Sequence, residues 1–599
     1  MQSFAWLSVF GFVGLAAVAN CSSSNHSVFS SGKPSATSVG GSGGFGGASS
    51  ESGLNLGGAS ASGGSCSVNC ASDFHDVIDC NGDVVESCAG TNGCDPKLSQ
   101  CANACQVAVD NKLSVGCDYY ATYMDAFGGN CFAAFVANTW DVPAHLQVEF
   151  QGQQLPLGAI AYLPNGSGPS LTYTPLDSAK GLAPGEVAIL FLAGSQGQNS
   201  SGEGFCPVPP LVPTLAARTI GTAIGNSFHI RSDVPVISYE INPFGGGSVA
   251  VTGASLLLPT SVWGTNYLAV NAHEDNQVAT PSLNIVAAEN ATLVTLLPVN
   301  PVQGGNGIPS GPANVPLTFT LNKGQQAQIS QSLFLTGSIL QSNKPVGLMA
   351  GHVCSQVPQG VAYCDHAEQM VPPVTALGSE YAGVMYRPRV NEPAIWRLVG
   401  VVDGTQLTWS TAVGGPSSLA LGQVVEFSSA VPFVVKSQGA DHPFILFQHM
   451  SGSQWMGGAL DGYGDSDAVL SVPVQQYLRS YLFFADPTYP ETNLVITRSP
   501  DKNGVFADVT LDCAGKLGGW QKVGDLEWTR IDLITGNFQP VGNCSTGSHE
   551  IKSENPFGLL VWGWGTPNTL SFTENVSYGY PGGMGVTPIN NVVIVPNPK

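Results

Sequence analysis

Charged side chains are scarce in this chain of 599 residues, since Lys, Arg, Asp and Glu together make up 10% of it. Only 20 residues are Lys or Arg, against 41 Asp and Glu, and the formal net charge is −21. Binding to nucleic acid, or to an anionic membrane surface, needs clustered cations, and this chain has no basic run. The composition therefore argues against both kinds of partner.

Long apolar runs and catalytic motifs are also missing. Beyond the N-terminal segment no stretch of uncharged apolar residues is long enough to predict a membrane helix. No phosphate-binding P-loop appears. The Gly-x-Ser-x-Gly letters at residues 40–44 lie in a Ser/Gly-rich stretch, without the strand and helix that a nucleophile elbow needs. We therefore expect no enzyme, no catalytic residue and no cofactor.

The sequence of the N-terminus is typical of an export signal. The apolar segment Phe4–Ala19 has the length of a signal-peptide core, and the following Asn20-Cys21 resembles a bacterial lipobox in which Cys21 would be lipidated. Asn20 is unusual in that position, and no Lys or Arg precedes the apolar core. We predict a signal peptide over 1–21 and a disordered Ser/Gly-rich linker over 22–65. The protein would be an outer-membrane or cell-surface lipoprotein, or secreted, and would touch a membrane only through this anchor.

Cysteine is abundant, with 15 residues, eight of them between Cys66 and Cys117. In an exported chain such density predicts disulfides that stabilise a module too small for its own core. The spacings lack the paired CxxC of zinc knuckles. We predict a disulfide-rich module over 66–117. Its best helix candidate is Leu98–Val109, which would place Cys101 and Cys105 on one face.

A strand-turn signature then recurs four times. It begins with Gly-x-x-Tyr, or a degenerate form of it, and it is followed by a proline-centred phrase that enters an apolar strand. The starts are Gly116–Tyr119, Gly264–Tyr267, Gly378–Tyr381 and Leu478–Tyr481, and the prolines are Pro235, Pro345, Pro443 and Pro556. Proline at a strand start costs no ladder hydrogen bond. The spacing predicts β repeats over 116–262, 263–376, 377–477 and 478–599.

The fold class that these repeats predict is all-β, with four tandem β-sandwich-like repeats after the small disulfide-rich module. A closed, propeller-like arrangement of the repeats is the alternative. The remaining cysteines pair naturally within this scheme. From proximity in the repeats we predict the bridges Cys131–Cys206, Cys354–Cys364 and Cys513–Cys544.

Several of these phrases resemble the N-terminal domain family of IgG Fc-binding protein, found in animal mucus-associated proteins and in secreted or lipid-anchored bacterial proteins. The resemblance runs from about Gly116 to the C-terminus and implies a binding role with no catalytic residue to carry over. Immunoglobulin binding itself belongs to the animal members. The residues that carry it are Ser232–Val236, Leu256–Ser261, Ser342–Val346, Gly351–Cys354, Cys364–Pro373 and Val576–Pro581.

One polar constellation surrounds the predicted Cys354–Cys364 bridge. Its imidazole and carboxylate donors, together with the two cysteines, could hold zinc or copper. A disulfide-closed structural loop and an exposed recognition loop are the alternatives. The weak metal candidates are His352, Asp365, His366 and Glu368.

Two further motifs each allow two interpretations, one functional and one structural. Asp461, Asp465 and Asp467 suggest a calcium turn, although a solvated Gly-rich turn is the preferred reading. Trp562 and Trp564 alternate along one strand and could stack on a carbohydrate, although buried core is the preferred reading.

The function that follows is an exported, lipid-anchored binding or adhesion protein at the cell surface. It would act through loops on a rigid β scaffold, on an unknown protein or glycan. A structural envelope component without a specific ligand is the alternative. A metal-dependent or hydrolytic enzyme is the third hypothesis.

Overall fold

The computed structural model describes residues 68–597, apart from 72–73, 128–130, 196–203, 247–250, 275, 391, 393, 457–461 and 570–572. The regular secondary structure of the described chain is nearly all β-strand, which confirms the predicted all-β fold class. No helix within it is long and apolar enough to cross a membrane. The signal peptide, Cys21 and the Ser/Gly-rich linker lie outside the described residues.

The N-terminal module is small and rich in disulfides. Its strands are Asn69–Cys70, Asp76–Ile78, Val84–Ser87, Asn92–Asp95 and Gln100–Asn103, followed by the helix Ala104–Asn111. Bridges join Cys70 to Cys94, Cys88 to Cys101 and Cys105 to Cys117. Cys80 is disulfide-bonded as well.

The predicted helix over Leu98–Val109 is wrong in its first half. Gln100–Asn103 pairs with Asn92–Asp95 as a strand, so the helix begins only at Ala104. The side chain of Asn103 caps it by accepting the N–H groups of Cys105 and Gln106. Strand pairing therefore prevails over the helical pattern, and Cys101 and Cys105 do not share a helix face.

Each of the four repeats contains the same five strand positions, which we call first, second, third, long and inner. The first strands are Gly116–Ala121, Gly264–Leu268, Glu380–Gly383 and Leu478–Ala485; the second are Cys131–Asn138, Pro281–Ala287, Ile395–Gly400 and Glu491–Arg498. The third strands are Leu146–Phe150, Thr292–Leu297, Thr405–Trp409 and Val509–Leu511. The long strands are Phe228–Ile241, Ile339–Ser355, the pair Phe433–Ser437 and Phe444–Met450, and Gly547–Trp564. The inner strands are Ala254–Leu256, Asp365–Val371, Asp467–Leu470 and Ser577–Pro581.

Further elements extend the sheets and connect the repeats. The additional strands are Gln153–Leu155, Ala161–Asn165, Thr172–Pro175, Val187–Gly194, Val212–Pro213, Ala223–Asn226, Leu317–Leu321, Gln325–Ser330, Ser418–Leu419, Val424–Ser428, Gly515–Lys516, Gln521–Val523, Leu526–Thr535 and Gln539–Pro540. Short helical turns occur at Leu157–Ala159, Gly168–Ser170, Thr214–Ala217, Thr260–Val262, Val374–Ala376, Ser453–Met456, Val474–Gln476 and Pro567–Thr569.

The long strand serves both halves of its repeat. In repeat 2 the part before Pro345 pairs with the first and third strands, and the part after it pairs with the second and inner strands. The sheets of repeats 1, 2 and 4 have ten, eight and nine strands, whereas repeat 3 forms two sheets of four. The sheet of repeat 2 includes Ala223–Asn226 from repeat 1, which pairs with Gln325–Ser330. Repeats 1, 2 and 4 are therefore not propeller blades, which are separate four-stranded sheets, and a propeller is not shown.

A tyrosine hydroxyl lies at the point where each long strand stops pairing with the first and third strands and begins to pair with the second and inner strands. The tyrosine of every Gly-x-x-Tyr start is buried and donates to the carbonyl of the residue that follows the repeat proline. Tyr119 donates to Val236, Tyr267 to Val346 and Tyr381 to Phe444, each at 2.7 Å, and Tyr481 donates to Phe557. The signature that defines the repeats in the sequence is therefore one hydrogen bond, made four times.

The apolar cores cross the boundaries between repeats. One cluster joins repeats 1 and 4, and a second joins repeat 2 to Val399, Ile445 and Phe447 of repeat 3. The third joins repeat 3 to Trp562 and Trp564 of repeat 4, which are fully buried. The core reading of these tryptophans is confirmed, and the carbohydrate platform is wrong. Each inner strand also contacts two other inner strands, so the four inner strands meet in a closed order.

We predict that Tyr267→Phe lowers the free energy of unfolding by about 1–3 kcal/mol. The substitution removes one hydroxyl and leaves the buried carbonyl of Val346 without its donor. Chemical denaturation of the purified protein measures this. Tyr363→Phe is the control, because Tyr363 is exposed. Equal stabilities of the two variants would contradict the role given to the tyrosine.

Candidate functional site

One end of each repeat carries the loops that lead into its second strand and out of its long strand. These loops lie together because the start of the second strand pairs with the end of the long strand in all four repeats. We call this surface the loop face. Its described segments are 122–127, 242–246, 269–274, 276–280, 356–364, 384–390, 451–456, 486–490 and 565–569.

The loops of repeats 2 and 3 are fastened to each other. A disulfide joins Cys354 to Cys364 and closes the loop of repeat 2. The N–H of Ala362 donates to Oε1 of Gln454 at 2.6 Å, and the N–H of Gly452 donates to the carbonyl of Val357 at 2.7 Å. This part of the loop face therefore has a fixed shape.

Exposed aromatic side chains stand on these fastened loops. Tyr363 and Trp455 follow directly on Ala362 and Gln454 in the chain, and they are 45% and 47% exposed. Phe127 of repeat 1 is 57% exposed, and its N–H donates to the carbonyl of Val353, next to the disulfide. Three repeats thus each place one exposed aromatic ring on the loop face.

A buried ion pair supports the same face from repeat 3. Arg389 and Glu392 are paired and have fully buried side chains. Arg389 also donates to the carbonyl of Tyr463 at 2.8 Å and to the carbonyl of Ser451 at 2.5 Å. Since Ser451 begins the loop that carries Trp455, this pair holds that loop in position.

Beneath the loops lies a buried polar floor, made largely by the inner strands. Asp365, His366 and Glu368 are fully buried, and Nε2 of His366 lies 3.3 Å from Oε2 of Glu368. The carboxylate of Asp365 accepts the N–H of Thr252 at 3.2 Å and the N–H of Ser577 at 3.0 Å. One side chain of repeat 2 thereby joins repeats 1 and 4.

Burial shifts the pKa values of the floor residues in the direction that favours their uncharged forms. It raises the pKa of Glu240 to about 8 and that of Asp465 to about 7. Burial also raises the pKa of Glu368 well above its usual value, and the charges of Glu240 and Asp467 add to the effect. The pKa of His366 falls to about 3, because burial disfavours the imidazolium. At neutral pH Glu240 and Glu368 are therefore mostly protonated and His366 is neutral, whereas Asp465 is close to the midpoint of its titration.

The four metal candidates do not converge on one point. His366 and Glu368 are in contact, whereas the carboxylate of Asp365 is taken up by backbone N–H groups. The side chain of His352 contacts other groups. Its Nε2 lies 2.9 Å from the carbonyl of Glu274, and its Nδ1 accepts the N–H of Cys354.

Across the described residues, one set of three metal-ligating side chains brings its ligand atoms within 4.8 Å of one another, namely Asp512, Cys513 and His549. Cys513 is bonded to Cys544, so its thiolate is not available. The two ligands that remain are fewer than a resident zinc site uses.

The Asp-rich motif of repeat 3 is a second place where structure and sequence differ. Asp465 and Asp467 are fully buried, so the solvated turn expected there is wrong. The carboxylate of Asp465 accepts the N–H groups of Ser453 and Ser466. The backbone N–H of Asp465 donates to Oγ of Ser577. Asp461 lies outside the described residues.

Sequence reasoning missed most of the partners in the floor. Glu240, Thr252 and Ser577 come from repeats 1 and 4 and lie more than a hundred positions from Asp365. No local pattern marks them. The available signal was their position beside the inner strands. An alignment of the four repeats by their signature would have indicated this position.

A family model described as IgGFc binding protein matches residues 253–563 of the chain.

The chain belongs to this IgGFc-binding family.

The IgGFc-binding protein of Homo sapiens is 28% identical to the chain over 390 residues, which is 64% of the chain and 7% of the human protein. The chain therefore corresponds to a small part of that relative. The IgGFc-binding match includes the Cys354–Cys364 loop and the floor residues of repeats 2 and 3. The disulfide-rich module and most of repeat 1 precede it. The bridge Cys131–Cys206 lies in that preceding part, and Cys513–Cys544 lies within the match.

We predict that stability falls as pH rises from about 5 to about 9 at the buried floor. Because folding raises the pKa of Glu240 and Asp465, the folded protein binds protons more tightly than the unfolded chain. This contribution is complete below the ordinary carboxyl pKa and is lost as pH rises through about 7 and 8.

Thermal melts of the wild type and Glu240→Gln across this range isolate the effect. The glutamine cannot ionise, so the variant should lose less Tm at alkaline pH than the wild type. Parallel Tm curves for the two proteins would show that Glu240 does not hold a proton in the folded state.

Proposed function

We propose that the chain is an exported binding protein that holds a protein ligand on its loop face. The observation that carries this proposal is the set of exposed rings of Phe127, Tyr363 and Trp455 on loops of three repeats. Aromatic side chains supply much of the energy of protein interfaces, because each buries a large area at little cost in side-chain entropy.

The rigidity of the loops supports the same reading. The Cys354–Cys364 bridge and the hydrogen bonds of Ala362 and Gly452 fix the loops that carry two of the rings. A surface that is ordered before binding loses less conformational entropy when a partner docks. The described disulfides also agree with export to an oxidising compartment.

Family membership supports a protein as the ligand. The human relative is named for IgG Fc, and we extend this partner class to the chain as a proposal. The floor residues are buried beneath the loops, and Asp365 joins repeat 2 to repeats 1 and 4. For this reason we place contact with the ligand at the exposed rings, and a structural role at the buried polar residues.

We predict that the Fc fragment of human IgG binds the wild type, and that Trp455→Ala and Tyr363→Ala each weaken the binding by about tenfold or more. Each substitution removes an exposed ring and leaves the buried floor unchanged. Surface plasmon resonance with immobilised Fc measures the affinities.

Val505→Ala is the matched control, because Val505 is 59% exposed and lies beside Asn555 at the opposite end of repeat 4. Binding that is equally strong in all variants would place the ligand away from the loop face. No binding of Fc by the wild type would exclude Fc as the partner.

We also propose that Cys21 carries a lipid that anchors the protein at the cell surface, and that binding there serves adhesion. We predict that Cys21→Ser moves the protein from the membrane fraction to the soluble exported fraction, because the residue that would be acylated is lost. Fractionation and immunoblotting of expressing bacteria measure this. Persistent membrane association of the variant would contradict lipid anchoring through Cys21.

A further inference from the structure

A groove of about 360 Å³ lies at the other end of repeat 1, away from the loop face. Its floor is the start of the first strand with Arg231 of the long strand, and its walls are the helix Ala104–Asn111 and the turn that follows Pro259. This volume is within the range of ligand-binding clefts. Neither the family match nor the loop face accounts for it.

The same place in repeat 2 is filled by the chain itself. The N–H of Ile594 donates to Oδ1 of Asn266 at 3.0 Å, and Nδ2 of Asn266 donates back to the carbonyl of Ile594 at 2.6 Å. Further along the segment, the N–H of Ile589 donates to the carbonyl of Thr375 at 2.8 Å. Ile594 is 7% exposed, whereas Val593 and Val595 are 60% and 48% exposed, as in an extended chain with one side chain facing inward.

The two places correspond residue by residue. Asp118 and Asn266 both stand two positions after the glycine of the signature, and they pair with Arg231 and Gln341 of their long strands. The turn Pro259-Thr260-Ser261 corresponds to Pro373-Val374-Thr375. In both repeats the signature glycine packs against the first residue of that turn: Gly116 faces Pro259 and Gly264 faces Pro373.

The groove of repeat 1 presents the same donor and acceptor pair in another form. In repeat 2 one amide, that of Asn266, supplies both. In repeat 1 the guanidinium of Arg231 is a donor, and the carboxylate of Asp118 is an acceptor. This carboxylate also accepts the hydroxyl of Thr260 at 3.0 Å and lies 2.9 Å from Nε2 of His229, so a peptide N–H would share one of its oxygens. Nε of Arg231 is buried and has no hydrogen-bond partner among the described residues, and the nearest oxygen of Glu149 lies 4.0 Å from Nη2. Oγ of Ser261, on the wall, is likewise buried and unpartnered there.

We propose that this groove binds an extended segment of a partner protein, recognised through its main chain and through one β-branched side chain. Asp118 would accept a peptide N–H and Arg231 would donate to a peptide carbonyl. The β-branched side chain would pack between Val109 and Pro259, in the role that the buried side chain of Ile594 has at the core of repeat 2. The proposal concerns a surface distinct from the loop face, so either can fail without the other.

The test uses the whole protein and a labelled peptide with the sequence of residues 590–597, Asn-Asn-Val-Val-Ile-Val-Pro-Asn. Fluorescence anisotropy should show saturable binding. Arg231→Met should weaken it by about tenfold, as expected for the loss of one charge-assisted hydrogen bond. Leu98→Ala, an exposed change in the same module but outside the groove, should leave the affinity unchanged.

A second peptide keeps the test decisive if Arg231→Met fails to fold. This peptide carries an N-methyl group on the isoleucine, which removes the N–H that Asp118 would accept. It should bind the wild type about tenfold more weakly than the unmodified peptide.

Three results would overturn the proposal. One is no saturable binding of the unmodified peptide at about millimolar concentration. Another is equal binding of the two peptides, since recognition would then not use the main chain. The third is self-association of the protein that Arg231→Met abolishes, because the groove would then hold a second copy of the chain.

Discussion

The hydrogen bond from a buried tyrosine to the carbonyl after the repeat proline is the constraint on which this architecture depends. Proline has no N–H to give to a strand ladder, and the long strand shifts its register at that point. The carbonyl of the next residue, such as Val346, would be buried without a donor. Tyr267 supplies one from the first strand. One strand can therefore bend and serve both halves of a sandwich without leaving a polar group unsatisfied.

The bend in the long strand also determines where the polar residues of the inner strands lie. The second half of each long strand pairs with an inner strand, and the inner strands of the four repeats contact one another. Carboxyl groups such as Asp365 and Asp467 are carried to this centre. They are tolerated there because burial raises their pKa, so that they bind protons and hydrogen-bond to backbone of other repeats. The cost of desolvating a charge is avoided, and the repeats are held in register.

Buried polar residues and exposed binding residues lie close together in the sequence, but the structure gives them different roles. The constellation around Cys354 and Cys364 is dense in groups that can ligate metals, yet most of it forms the buried floor. The residues with the chemistry of an interface, Tyr363 and Trp455, stand on the loops above and belong to no motif. Membership of the IgGFc-binding family agrees with a surface that binds, and the disulfide that closes the loop contributes order to it.

The sequence by itself determined the class of fold, the number of repeats and the position of each bend. These depend on local features: period-two alternation, proline at a strand start and a tyrosine at a constant offset. Where local preference competes with pairing, as at Gln100–Asn103, the sequence reading failed, because a strand partner outweighs helix propensity. Only the tertiary structure decided that Asp465 is buried, that Ser577 bonds to Asp365 and that the rings of three repeats share one face. These facts depend on how distant repeats pack, and no spacing within one repeat encodes that packing.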